Sequence, residues 1–219
     1  MYIPTHHALA NDDAARTLIE SHALGAWVFQ GPDGLVANHL PFFLERGRGA
    51  HGTLIGHVSR ANPAWRALQA GCPSVVMFRG AQAYVSPGWY PGKSAHGRVV
   101  PTWDYVVAHA HGVARAVHER DWLLHMLNRL SNAHEAPQPQ PWRVADAPAD
   151  FIERLLRGIV GIEIPIDRLE SKLKASQDED PADRRGTVAG LRQAANEDAR
   201  RMGEWVEQAL GADAGSSAA

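Results

Sequence analysis

Two dense polar-aromatic segments flank the apolar run PSVVMF. GHVSRANPAW (Gly56–Trp65) precedes it and YVSPGWYPGK (Tyr84–Lys93) follows it. A third segment, VVPTWDY (Val99–Tyr105), has the same character. Loops at strand ends on a rigid scaffold are where ligand-binding groups gather, so these clusters suggest one site for a flat, charged ligand. Arg60 falls where a strand gives way to a short helix opened by Asn62 and Pro63. A guanidinium fork beside free backbone N–H groups makes a phosphate pocket; the competing reading is a solvated surface arginine. Trp89, Tyr90 and Trp103 offer broad faces to a planar ring, or serve as core filler with a polar handle. His57 suits stacking on a ring or hydrogen bonding to it, and equally suits a satisfied structural histidine.

Glu170, Lys172 and Lys174 share one face of a late strand at period two, followed by Gln177. Either this is a solvated edge, or it delivers cations to an anionic ligand across a subunit boundary. The chain has 12 histidines. His109 and His111 alternate on one strand face, but no third ligand stands at recognisable metal spacing, and His6-His7 lies at the chain end. No metal site is expected. There is no G-x-S-x-G nucleophile elbow, no Walker A motif and no recognition helix, so the catalytic residues, if any, stay unassigned.

The elements that must position these residues read as mainly β. A helix after Asn11-Asp12 precedes the strands AWVFQ and LVANHLPFFLE, joined by the turn GPDG. HGTLIGHVSR, then PSVVMFRG and AQAYVSP (one strand if bent at Gly80), then a long strand with a bulge at Gly112 complete the first part. Two helices bracket a Pro-rich connection, GIEIPIDRLESKLKASQ returns to alternation, and Arg184–Leu210 carries apolar residues at three-four spacing as one long helix. Consecutive strands joined by short turns argue for an antiparallel sheet closing into a small barrel with helices outside. The organisation expected is a barrel domain over 1–183, a C-terminal amphipathic helix over 184–210 and a flexible tail over 211–219.

Composition narrows the setting. Net charge is -2 and there is a single cysteine, Cys72. Nothing overall draws such a chain to nucleic acid or membrane, and the cysteine usage suits a reducing compartment. With no signal peptide or spanning run evident, a cytoplasmic protein is expected.

The ordered motifs MYIP, NHLPF (Asn38–Phe42), GHVSRANPAW, YVSPGWY, VPTWDY, the His134-Glu135 pair, IVGIEIPIDRLE and KASQD resemble the PaiB-type FMN-binding negative transcriptional regulators. The resemblance runs from Met1 through the VAGL at Val188 and implies an FMN-binding split barrel that is α+β and mainly β, with peripheral helices and a long C-terminal helix. It also implies a homodimer with FMN at the subunit interface. Carried onto this chain, the cofactor-binding residues are Asn38, His39, Leu40, His57, Arg60, Asn62, Ser86, Trp89, Tyr90, Thr102, Trp103, Lys174 and Gln177, with Asn38 and Leu40 presenting backbone groups to the isoalloxazine edge. The chain departs from the pattern at His7, where an aromatic is usual, and at Asp104 and Asp178, where asparagine is usual. The implied role is negative transcriptional regulation, with no DNA-reading element evident. The alternative is an FMN-dependent oxidoreductase or a haem-handling protein.

Overall fold

The structure, a computed structural model, describes residues 1–68 and 70–216. Alternating burial along Leu24–Gly31 (β1) and Gly34–Pro41 (β2) follows the period of two, and a tight turn at Pro32-Asp33 joins them, with Gly34 taking a φ of 128°. Phe43–Glu45 (β3), Thr53–Ser59 (β4), Cys72–Val85 (β5), Thr102–Val117 (β6) and Ile159–Lys174 (β7) complete a seven-stranded sheet in the order β2-β1-β5-β6-β7-β4-β3. Every pairing with a defined register is antiparallel. Helices lie at Asp12–Ser21 (α1), Pro91–Ala95 (α2), Arg120–Glu135 (α3), Ala149–Leu156 (α4), Pro181–Arg192 (α5) and Glu197–Ser216 (α6). No described helix is long and apolar enough to cross a membrane.

The chain divides into two compact units. The larger comprises Asp12–Phe78 and Ala108–Glu170. Its core includes Trp27, Phe29, Phe42, Val76 and Phe78 from β1, β5 and the β2–β3 link, with Ile55, Leu123, Met126, Leu130 and Leu156 packing α3 and α4 onto β4. Within this unit the terminal strand β2 comes round against β4. Asn62 Nδ2 donates to Asn38 Oδ1 at 2.9 Å, and a side chain on Gly56 would meet the Pro41 carbonyl. The smaller unit comprises Met1–Asn11, Arg79–Val107 and Ser171–Ala219, and is cored by Ala81, Ala83, Ala175, Val188, Leu191, Met202 and Val206.

β5 is the single strand that the sequence allowed, its alternation slipping by one residue at Gly80-Ala81. Other expectations change. β6 also runs unbroken through Gly112. That glycine is required because a Cβ there would run into the Pro165 carbonyl oxygen of β7. The expected single helix from Arg184 to Leu210 is two helices. Asn196 Oδ1 accepts from Ala199 N at 2.7 Å as an N-cap, and α6 turns back so that Gly203 packs on Leu191. α6 continues through Ser216, and the last residues of the expected tail, 217–219, lie outside the described residues. Arg184, on α5, is 3% exposed. Gly47–Gly52 has the glycine spacing of a dinucleotide loop, yet it joins β3 to β4 and opens no helix.

Replacing Gly112 with Ala should lower stability by about 1–3 kcal/mol, the range for overpacking a filled interior. Urea denaturation of the variant should show an earlier midpoint with an unchanged slope. An unchanged midpoint would mean that β6 and β7 separate at no cost.

Candidate functional site

In the larger unit, β4 ends at Ser59 and the chain turns, Asn62 N donating to Ser59 O at 2.9 Å. Pro63 then opens a 3-10 turn through Leu68, and Asn62 Oδ1 accepts from Ala64 N at 3.0 Å. This turn is six residues long, so it brings only a short-range set of free N–H groups. Arg60 sits at the turn with its guanidinium already oriented. Nε donates to the Arg157 carbonyl at 2.8 Å and Nη2 to the Ile159 carbonyl at 2.9 Å. Among the described residues Nη1 has no hydrogen-bond partner, and the side chain is exposed. A cleft of about 500 Å³ opens beside the Asn38–Asn62 bond, walled by Phe29, Val36, Pro63 and Ala67. His39 and Leu40 follow on β2, a strand bonded to one neighbour only, with His39 exposed and Leu40 half-buried.

His57 lies in a different cleft of the same unit. That cleft, of about 350 Å³, is lined also by Pro41, Leu130, Ser131, His134, Glu135 and Trp142. The His57 Nδ1 is buried and has no partner among the described residues, and burial lowers the imidazole's pKa. Glu135 accepts from the Trp142 backbone N–H at 2.9 Å, which folds the Pro-rich connection over the end of α3.

In the smaller unit the centre is Asp104, 0% exposed. Ser176 Oγ donates to its Oδ2 at 2.6 Å, and Lys174 Nζ stands 3.4 Å from its Oδ1. Burial raises the carboxyl's pKa, while the Ser176 hydrogen bond and the Lys174 charge oppose that shift. Lys174 Nζ also donates to Thr102 Oγ1 at 2.6 Å and to the Trp103 carbonyl at 2.9 Å. Gln177 turns inward, accepting from Ala175 N at 2.6 Å and donating to the Leu173 carbonyl at 2.7 Å. Ser86 caps the turn at Pro87–Trp89, its Oγ accepting from Gly88 N. Tyr90 is buried and its phenol is pushed up to about 12, first by burial and then by the Glu179 charge. The Trp89 indole lies on α5 where Gly190 leaves room for it. Trp103, 54% exposed, meets Tyr84 edge to face at 6.2 Å between ring centroids. These three aromatics share the walls of a cleft of about 690 Å³ with Gln82, Asn196 and Glu197.

The thirteen expected cofactor residues therefore fall into two sets. Asn38, His39, Leu40, His57, Arg60 and Asn62 belong to the larger unit, and Ser86, Trp89, Tyr90, Thr102, Trp103, Lys174 and Gln177 to the smaller. Asn38 and Asn62 meet directly, as do Thr102 and Lys174. His57 opens onto a separate cleft from Asn38 and Asn62. The edge-strand reading of Lys172 gives way, because that residue is 8% exposed with its Nζ near the Tyr2 and Tyr105 rings. Sequence reasoning missed Tyr84 as a cleft wall, Ser176 as the partner of Asp104, and His134 and Glu135 as neighbours of His57. The last pair had a signal, since both stand in a motif that marks the resemblance. Ser176 had the same signal, standing in the KASQD motif, but its left-handed φ of 56° and its contact with Asp104 show only in the folded chain.

Comparison with known proteins places this arrangement. A family model described as "Putative FMN-binding domain" matches residues 1–168. Protease synthase and sporulation protein PAI 2 of Bacillus subtilis is 29% identical over 96% of this chain and 98% of its own length. An uncharacterised protein of Emericella nidulans is 33% identical over 87% of this chain and 90% of its own. Among solved structures, a FAD and haem binding protein of Mycobacterium smegmatis superposes with a TM-score of 0.59 at 20% identity, covering 80% of this chain and 76% of that one. The flavocytochrome Anf3 of Azotobacter vinelandii does so with a TM-score of 0.57 at 11% identity, covering 79% and 72%. The fold is an antiparallel flavin-type split barrel, mainly β with helices around it. The chain belongs to the FMN-binding domain family and is a relative of PAI 2, and FMN is the cofactor which that family defines.

The residues present fit such a group. In the larger unit Arg60 is held by two carbonyls with Nη1 unpartnered among the described residues, and in the smaller unit aromatic faces border a cleft of that unit's own. Burial that keeps His57 neutral also makes a prediction. A histidine whose folded pKa lies below its ordinary 6.5 contributes stability that is complete above 6.5 and lost as pH falls through the folded value. His7 and His109 are lowered in the same direction, so His57→Gln should reduce, without abolishing, the fall in urea midpoint from about pH 7 to about pH 5. An identical pH dependence in the variant would show that the buried ring charges freely.

Proposed function

We propose that the protein is a cytoplasmic, homodimeric FMN-binding regulator of the PaiB type. The observation that carries the flavin part is Arg60, whose guanidinium is pre-oriented by the Arg157 and Ile159 carbonyls beside the Asn62 turn. Nη1 and the amides of that turn supply charge-assisted donors to a phosphate without first having to be ordered. The smaller unit, taken by itself, offers Lys174 and Thr102 as polar groups and Trp89, Trp103 and Tyr84 as ring faces. Bound flavin would bring redox capacity, and the chain's residues would hold and orient it. The dimer follows from the family resemblance, in which residues of both chains complete each flavin site.

The regulatory part rests on the kinship with PAI 2, whose name ties that protein to protease synthesis and sporulation. Direct reading of DNA is disfavoured by charge. The chain carries -2 overall, and on α5 and α6 Arg192 pairs with Glu207 and Arg201 with Glu197, as on a solvated face. Regulation would then run through a protein partner or flavin-linked metabolism. A second reading, an FMN-dependent oxidoreductase, draws on the His57 nitrogen, which has no partner among the described residues, in a cleft with His134 and Glu135. Haem handling belongs to the same class.

Arg60→Ala should weaken FMN far more than riboflavin, measured by flavin fluorescence titration. A general folding defect would lower both alike, and equal losses would place the phosphate elsewhere. Light scattering at micromolar concentration should give a dimer; a monomer that retains FMN would refute the shared site. Anisotropy titration at physiological salt should show weak, sequence-indifferent DNA binding. Strong preference for the gene's own promoter over a scrambled control would make it a direct repressor. Turnover with NADH or NADPH would favour the oxidoreductase, and a specific Soret shift on haem titration the haem-handling protein.

A further inference from the structure

His7 is the most anomalous polar side chain of the smaller unit. It is 4% exposed, and among the described residues neither ring nitrogen has a hydrogen-bond partner. Its Nε2 lies 3.4 Å from Asp178 Oδ2 without the alignment of a hydrogen bond. An imidazole removed from water with both nitrogens unsatisfied is costly unless something fills the gap. His6 stands beside it, the two ring centroids 4.2 Å apart, and His6 Nε2 reaches Asp178 Oδ1 at 2.6 Å. One ligand atom from each of His6, His7 and Asp178 lies within 4.8 Å of the other two.

We propose that His6, His7 and Asp178 form a binding site for a divalent transition metal of the Zn²⁺ class. Two imidazoles and one carboxylate are borderline donors suited to such an ion, and three protein ligands leave a position for water. A metal held at about 2.0–2.2 Å from each donor needs the donors roughly 3–3.5 Å apart. The His7–Asp178 separation already meets that need, and the exposed His6–Asp178 contact must open to reach it. Local structure brings the ligands together. The 3-10 turn Thr5–His7 presents both rings, Ala8 bridges to Lys172 of β7, and the left-handed turn at Ser176 brings Asp178 back toward that bridge. The ion would clamp the first residues of the chain to the segment after β7.

Two nearby cations oppose the site, and both are occupied. Lys174 is paired with Asp104, and Lys172 Nζ is directed to the Tyr2 carbonyl and the Tyr2 and Tyr105 rings. The other histidine cluster, His109, His111 and Glu170, is a weaker claimant. There Arg168 already supplies the positive charge, pairing with Glu170 at 2.5 Å and donating to His111 Nδ1 at 3.0 Å.

The test uses untagged full-length protein stripped by chelation and titrated with Zn²⁺ and with Co²⁺, with metal content measured after dialysis and Tm followed by scanning calorimetry. One Zn²⁺ per chain is expected, with a raised Tm and a Co²⁺ absorption band of low coordination number. Asp178→Asn, near-isosteric at an exposed position, should weaken Zn²⁺ binding at least about tenfold and remove the Tm rise, as should the exposed His6→Ala. Glu170→Gln should leave both unchanged. Absence of stoichiometric Zn²⁺ in the parent protein, undiminished binding by Asp178→Asn, or loss of binding in Glu170→Gln would each overturn the assignment. Flavin content, read separately by absorbance, does not enter this result.

Discussion

A carboxylate with no exposed surface cannot remain charged without compensation, and in the smaller unit Asp104 sets that constraint. Lys174 and Ser176 answer it from the end of β7 and the turn beyond. Satisfying Asp104 fixes Lys174 across Thr102 and Trp103, which leaves the Trp103 ring exposed beside Tyr84. It also holds Ser176 in a left-handed conformation that a residue other than glycine rarely adopts. Gln177 then closes the turn on the backbone of Leu173 and Ala175, and Asp178 emerges next to the N-terminal histidines. One buried charge thus orders the aromatic cleft wall, the polar groups beneath it and the candidate metal ligands.

The larger unit is ruled by packing rather than charge. β6 and β7 approach so closely at Gly112 and Pro165 that a methyl group does not fit, and β4 lies against the end of β2 at Gly56. Such approach is available only to glycine, and it lets Asn38 of β2 reach Asn62 beyond β4. The Arg60 turn follows directly. With β4 paired to β7 through Ser59 and Ile159, the carbonyls of Arg157 and Ile159 stand where the guanidinium can use them. An arginine oriented in this way loses little further freedom on meeting an anion.

The two clefts of the larger unit differ in how their polar groups are engaged. Both have largely apolar walls, but beside the first Asn38 and Asn62 are engaged with each other, whereas the His57 cleft retains a ring nitrogen that has no partner among the described residues. The first suits holding a ligand in place. The second suits a group that accepts or donates a proton, because a neutral imidazole can do either.

The residues themselves determined the strand-rich class, the hairpin of β1 and β2, the short turn at Asn62-Pro63 and the family, because turn chemistry, period-two alternation and ordered motifs are local properties. Arg60, Trp103 and Lys174 were legible as candidates for the same reason. Tertiary structure alone decided what these groups touch. Lys172 alternates with Lys174 in sequence, yet one is buried between tyrosines and the other is paired to Asp104. The Arg184–Leu210 segment keeps helical spacing throughout, but burying its apolar face on itself required a break at Asn196. His6 and His7 read as an ordinary chain end because their third partner is remote in sequence, and sequence spacing does not encode contacts made through a bridge such as Ala8 to Lys172. Burial and long-range pairing depend on where the whole chain goes, and that is why they appear only in the folded molecule.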